Sequence, residues 1–442
     1  MRESLRSKQN LVLALAAALV YFFSNPKPSH FYDYTFRVAE NMLEGSIGFT
    51  EKPPSWLNEF VFFDGLWYSV FPFGSVVSMM PFALLKAAGI VTEMPAALIA
   101  GLLAGAICLF LLAIGSRYEL PASRIFLMTC GILFGTFVWT NLTFGGAWQL
   151  ALGFAMLGEL GAIYFTVFDR RPLLAGAFFA LAFGNRTEVL LTAPIYFYLM
   201  VRNAEPTALT GSGKTILSRT SISAVESGKR PAMNCAPQNS LGDGDMPPPY
   251  AGSSSLVGRL ALFCGVPFIL GVATLVFNYV RFNSITDFGY ARIPGVLNEP
   301  WYNYGIFSWR YIPRQAWEML LKLWEVRGPF PYIVPNGFSS SILLSSPFVL
   351  FALRFGARDK VLKYCAWAAI GIMTVLLWMH GNSGGWQFGY RYWMVCLPWL
   401  FVILLESAPK KLSSFEWVVY IFSILVNAYA TWLFHWTSYL RP

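Results

Sequence analysis

The sequence predicts an all-α protein, a polytopic transmembrane helical bundle of about eleven spans with interfacial helices in its outer loops. Three observations predict it. The 442 residues are 56% hydrophobic and only 12% charged, with a mean hydropathy of +0.52, against roughly 25% charged residues in a soluble domain. Apolar runs recur along the chain at a length that approaches the ~20 residues a helix needs to cross a bilayer. Aromatic residues make up 17%, and Trp and Tyr collect where membrane meets water.

The first span is 10–23, behind the basic stretch MRESLRSKQN. A basic start before a short apolar run is also the pattern of a signal peptide. Tyr21, Phe22 and Phe23 put rings where a cleavage site takes small residues, so the segment is read as an uncleaved helix. The remaining spans are 95–115, 125–143, 147–168, 172–185, 188–201, 257–279, 338–353, 363–380, 391–406 and 415–434. The short pair 172–185 and 188–201 could be one tilted helix. Loop charge decides for two, because cytoplasmic loops carry the excess of Lys and Arg. With the N-terminus inside, every short inner loop is basic: Arg117 and Arg124, Arg170-Arg171, Arg354, Arg358 and Lys360, Lys410-Lys411. Merging the pair would reverse that pattern downstream. The expectation is a multi-pass protein of the inner or plasma membrane, N-terminus cytoplasmic and C-terminus outside.

Three regions follow. Residues 1–201 form an N-terminal transmembrane module with a long first outer loop, 24–94. Residues 202–256 are rich in Ser, Gly, Pro, Thr and Ala and are expected to be a disordered cytoplasmic loop. Residues 257–442 form a C-terminal module with a second outer loop, 280–337. Within the low-complexity stretch, Gly213-Lys214-Thr215 has the end of a phosphate-binding loop, but Ala208 stands where that pattern needs Gly and no strand precedes it. In the outer loops, 72–90 and 309–324 are apolar or amphipathic enough to lie in the interface, and 34–44 is a further short helix. No internal repeat is visible, which weakens the case for a transporter built from two related halves.

Composition also excludes classes. The net charge of +9 is spread between apolar spans rather than gathered in a stripe, so nucleic acid is not expected. Six cysteines without a CxxC pair indicate neither a disulfide framework nor a zinc site. With three histidines, no metal site is assigned.

Five stretches could carry chemistry. Asp33, in HFYDYTFR just after the first span, is placed to act as a general base for a hydroxyl, or to cap helix 34–44. The run Pro54 to Phe82 mixes aromatics with Asp64-Gly65, a turn signal. Asn185-Arg186-Thr187-Glu188 puts ionisable groups between two spans, where they are costly and default to functional or paired roles; Arg186 could bind phosphate or pair with Glu188. In the stretch Trp378 to Tyr392, glycines admit close backbone approach, and Arg391 could fork onto a phosphate or anchor a helix end. Arg281, with Asp287-Phe288-Gly289-Tyr290 behind it, is a phosphate ligand or an interfacial anchor. Glu159, mid-span, is left outside the site.

Together these stretches resemble the C-type superfamily of membrane glycosyltransferases, which includes protein O-mannosyltransferases and aminoarabinose transferases of lipid A. The likeness lies in an acidic residue after the first helix, the DGLWYSVFPFG run with its PF, then RFNSITDFGY, then GGWQFGYRYWMVCLPWL, in that order. It covers most of the chain apart from 203–256. It departs from relatives that carry paired acids where Asp33-Tyr34 stands, or a Lys in the region of Val70 and Phe71. The resemblance implies transfer, with inversion, of a sugar from a polyprenyl-phosphate donor to a hydroxyl of a lipid, glycan or protein acceptor, on the non-cytoplasmic face. It places Asp33 as catalytic base. The assigned substrate ligands are Arg186, Arg281 and Arg391 for the phosphate, with Tyr290, Trp386 and Tyr392 for the sugar. No cofactor is firmly predicted: fixed cations can stabilise one phosphate, which lowers the need for a metal, and a divalent metal stays open. Asp64 and Glu59 are the next acids to examine. The rival classes are a flippase or transporter of lipid-linked sugars, and a lipid-linked glycan polymerase or ligase.

Overall fold

The computed structural model describes residues 2–27, 29–202 and 255–440; the low-complexity stretch and its Gly-Lys run lie outside the described residues. The protein is mostly helical, 67% helix against 4% strand. Helix α1 is Arg2–Ser24 and α2 is Tyr34–Leu43. A hairpin follows, β1 (Phe60–Phe63) and β2 (Leu66–Ser69), then α3 (Phe73–Ala87). Asp64-Gly65 is its two-residue turn: both have positive φ, 49° and 84°, and Phe63 faces Leu66. That is the turn geometry that matches strand twist and favours Asp-Gly.

The N-terminal half continues with α4 (Ala96–Gly115), α5 (Ala122–Phe134), α6 (Val138–Phe144), α7 (Ala147–Ile163), α8 (Pro172–Asn185) and α9 (Ala193–Arg202). The C-terminal half holds α10 (Leu256–Phe282), α11 (Ile312–Leu320), a second small hairpin β3–β4 (Glu325–Val326, Ile333–Val334) and α12 (Ile342–Ser345). It ends with α13 (Lys360–Met379), α14 (Leu397–Ser407) and α15 (Ser414–Trp436).

Among the described residues, five helices are long and apolar enough to cross a membrane: α4, α7 with its extension to Phe168, α10, α13 and α15. A sixth appears if α5 and α6, bent by 48°, count as one. Other expected spans are shorter or broken. Segment 338–353 holds α12 and a 3-10 run, Pro347–Leu353; 391–406 opens as 3-10 helix over Arg391–Cys396; 188–201 opens as 3-10 over Thr187–Thr192. The predicted interfacial stretches are α3 and α11, and the predicted 34–44 helix is α2.

Packing follows the logic of lipid. On α1 the buried residues are the small Ala14 and Ala17 and, near its end, Tyr21, whose hydroxyl donates to the Leu133 carbonyl, while Leu11, Val12, Leu15 and Phe23 face outward. Small residues let backbones approach where apolar side chains gain nothing by leaving solvent: a Cβ on Gly101 of α4 would stand 2.8 Å from the Ala18 carbonyl of α1. Helix α10 is the least enclosed, with Phe268 and Ile269 exposed.

The bundle has two distinct ends. At one, Glu416 at the start of α15 takes Arg124 of α5 at 2.7 and 3.1 Å and Arg354 at 2.7 Å. Glu406 of α14 accepts from Tyr118 at 2.7 Å and from the Asp359 amide at 2.6 Å, and Arg202 at the end of α9 pairs with Asp359. At the other end meet the last residues of α6, α8, α10 and α13, the first of α7, and the first outer loop.

Candidate functional site

The second end encloses a chamber of about 810 Å³, a size suited to a small organic ligand. Arg186, Tyr290, Trp386, Arg391 and Tyr392 all line it. Five stretches far apart in sequence therefore do converge: the first outer loop, the α7 start, the Asn185–Glu188 link, the 288–307 loop and the 380–392 loop.

The arrangement is held from behind. Asn141 of α6 brackets Phe388, donating to its carbonyl at 2.7 Å and accepting from its amide at 3.2 Å. The Gln387 amide donates to Gly337 O at 2.8 Å, and the Gln387 side chain accepts from the Arg391 amide at 2.9 Å. Gly389, at φ +66°, exchanges hydrogen bonds with Ser340. These bonds fix the loop that carries Trp386 and Arg391.

Arg391 is 5% exposed, and among the described residues it has no ion pair within 4 Å and no partner for Nε. Its guanidinium lies 5.2 Å from the Tyr392 ring and 5.9 Å from Trp148. Arg186 lies 4.8 Å from the same Tyr392 ring, and its Nε donates to Glu188 at 2.6 Å. The pairing weighed from sequence is thus present, and Arg186 still faces the chamber.

Glu59 is the carboxylate of this wall. It sits just ahead of β1, and its Oε2 accepts from Trp148 Nε1 at 2.9 Å. Burial pushes its carboxyl up to about 7, against the opposing pull of the Trp148 hydrogen bond and the Arg391 charge. Tyr34 backs the same corner, donating to Asn58 at 3.0 Å, with its ring 5.1 Å from Trp148.

Asp33 and Arg281 stand elsewhere. Asp33 precedes α2, makes no side-chain cap bond, and accepts from Arg37 Nε at 2.6 Å. Burial raises its carboxyl despite that partner. It does not line the chamber. Arg281 is 1% exposed and donates to the Ser69 and Phe71 carbonyls and to Asn278 Oδ1 at 2.7 Å. It ties the end of α10 to the loop carrying Phe71 and Pro72, which do line the chamber. Tyr290 reaches Tyr302 through a 2.8 Å hydroxyl contact.

Sequence reasoning ranked Glu59 behind Asp33 and did not name Trp148 or Gln149. Glu59 lay in a stretch already marked by its aromatics, and the signal was a carboxylate two residues after Leu57 at the foot of a hairpin. Nothing local pointed to Trp148 or Gln149, which look like ordinary span residues. Among the described residues, no three His, Cys, Asp or Glu side chains gather as metal ligands. The chain matches no family model, no characterised protein and no solved structure, so the chemistry of the chamber rests on its own geometry.

Proposed function

We propose that the protein is an inverting membrane glycosyltransferase of the C-type kind, moving a sugar from a polyprenyl phosphate to an acceptor hydroxyl inside this chamber. The observation that carries the reading is the pairing of an enclosed carboxylate held near neutrality, Glu59, with an unpaired enclosed guanidinium, Arg391, across the Trp148 ring. A base with a pKa near 7 is matched to taking a hydroxyl proton at neutral pH. An unpaired guanidinium awaits a charge that develops only as phosphate leaves.

The reaction follows from these roles. Glu59 takes the proton from the acceptor hydroxyl as its oxygen bonds to the anomeric carbon. The bond from that carbon to the donor phosphate breaks on the opposite face, and polyprenyl phosphate leaves onto Arg391 and Arg186. Tyr392, in contact with both guanidiniums, keeps them apart and orients them. Tyr290 and Trp386 supply hydroxyl and ring surface to the sugar. Asp33 serves to seat α2 through Arg37, and Arg281 holds the chamber wall.

Topology supports the outer face. The segments expected to cross the membrane lead from the ion-paired end to the chamber end, and Arg117, Arg124, Arg354, Arg358 and Lys410 gather at the former. Under the positive-inside rule that end is cytoplasmic. Eleven crossings then leave the C-terminus outside.

The test is transfer and hydrolysis from a panel of polyprenyl-phosphate sugars by the full chain in lipid, comparing wild type with Glu59→Gln. Turnover by wild type, lost in a variant that still folds and binds donor, is expected. Protein-dependent movement of the lipid across the bilayer without turnover would instead assign a flippase.

A further inference from the structure

The chamber has a second pole, on the side of Trp148 that carries Tyr32 and His30. Beyond Trp148 lie Tyr32, 5.1 Å from it, and His30, 5.5 Å from Tyr32. His30 and Gln149 sit side by side against Gly146: a Cβ there would meet Gln149 Oε1 at 2.7 Å and the His30 ring at 3.5 Å. Gln149 is only 6% exposed, yet among the described residues its buried Oε1 has no hydrogen-bond partner, and it lines the chamber. A buried amide left unpaired costs about 1–3 kcal/mol, which a ligand's hydroxyls would recover. His30 is equally defined. Its Nδ1 accepts the Tyr32 amide at 3.1 Å, which leaves Nε2 carrying the proton. Burial, with Lys27 nearby, holds the imidazole at about 4, so it is neutral at pH 7.

From this geometry we infer that the His30–Gln149 pole is a subsite for an uncharged sugar ring, and that the acceptor is a carbohydrate hydroxyl. A neutral N–H donor beside an amide that both donates and accepts matches vicinal hydroxyls, which do both. The Tyr32 ring, which lines the chamber 5.5 Å from His30, offers a flat apolar face to the C–H side of a pyranose. Among the described residues lining the chamber no Lys or Arg stands beside His30 and Gln149, with Lys27 outside the lining, which favours a neutral ligand over a phosphate or carboxylate. Assigning the pole to the acceptor rests on the transferase reading; the sugar-binding surface itself does not.

The experiment is a tryptophan-fluorescence titration of the full chain in lipid nanodiscs, without donor. The probes are methyl glycosides of mannose, glucose and N-acetylglucosamine and their trisaccharides, with the peptide Ala-Ser-Ala as control. At least one sugar should bind wild type, and Gln149→Leu should weaken it about ten-fold or more. Because the leucine removes an unpaired amide, its Tm should hold or rise, whereas a structural role for Gln149 would lower it. His30→Phe gives an independent second variant with the same expected loss. Binding of none of the sugars, equal binding by both variants, or preference for the peptide would overturn the inference. Donor turnover is measured in parallel: sugar binding without any turnover would overturn the transferase reading and leave the subsite standing.

Discussion

The two ends of the bundle treat their charged groups differently. At the ion-paired end, Glu416 accepts from Arg124, Arg354 and both the amide and hydroxyl of Ser413, and Glu406 is bonded on both oxygens. At the chamber end, Arg391 Nε, Gln149 Oε1 and Asn185 Oδ1 are enclosed and have no partner. A buried polar group that finds its partner within the fold locks helices together, and one left without a partner is a cost the fold carries for a ligand. Single unpartnered atoms occur at both ends, Arg124 Nε among them; what sets the chamber end apart is Arg391, buried and, among the described residues, without an ion pair.

The largest effect should come from the chamber's carboxylate. Glu59→Gln keeps shape and the Trp148 contact and removes the base, so turnover should fall by about 10²–10⁴, measured with saturating donor and acceptor. Stability should not fall, since a carboxylate held near neutrality by burial is replaced by a neutral amide. A Tm drop as large as that of an ion-pair variant would erase the distinction between the ends.

Next is Arg391→Leu, expected to lower kcat by about 10²–10³ through lost stabilisation of the leaving phosphate. Arg391→Lys should recover only part of it, because a point charge does not reproduce a planar fork. Full recovery in the lysine variant would show that charge alone matters there.

At the opposite end the sign reverses. Glu416→Gln leaves Arg124, 1% exposed, with its charge uncompensated, and should cost about 3–5 kcal/mol of stability. Thermal unfolding in lipid reads the loss, while turnover per folded molecule stays near wild type. A turnover defect in the folded fraction would couple the two ends and dissolve the division.

Much of this division was legible in sequence. Asp64-Gly65 announced its turn, the basic loops announced one end, and Arg186, Tyr290, Trp386, Arg391 and Tyr392 were picked from glycine-rich and interspan stretches that the fold does bring together. What sequence could not supply was the difference between two carboxylates in one aromatic loop. Burial raises both carboxyls, but the partner that opposes it is Trp148, on a distant helix, for Glu59 and Arg37, one turn away, for Asp33. Only packing decides which faces the chamber. The broken spans were obscured for a local reason. In Ser339 to Pro347, serines bond nearby backbone, as Ser341 does with the Leu344 amide, and proline ends the turn, so an apolar run of bilayer length is not one helix.

A gentler effect is pH. Glu59 must be ionised to act, so turnover should fall about ten-fold per pH unit below its pKa of about 7. The stability consequence has the opposite sense. The folded state holds this proton more tightly than the unfolded chain, whose carboxyl titrates near 4.5, so stability should decline as pH rises from about 4.5 to 7 and level off above. Glu59→Gln should abolish both slopes, and a retained acid limb in that variant would move the base to another group.

The smallest effect should belong to Asp33→Asn. Its ion pair with Arg37 is partly open to solvent, the two side chains being 15% and 40% exposed, and such pairs contribute about 0.2–1 kcal/mol. A turnover loss of only a few-fold is expected, through looser seating of α2 against α3. The pair Asp33→Asn and Glu59→Gln, assayed side by side, places the base: a loss in Asp33→Asn as deep as in Glu59→Gln would mean that a proton path runs from the α2 cap into the chamber, and that the carboxylate beside Trp148 is not acting alone.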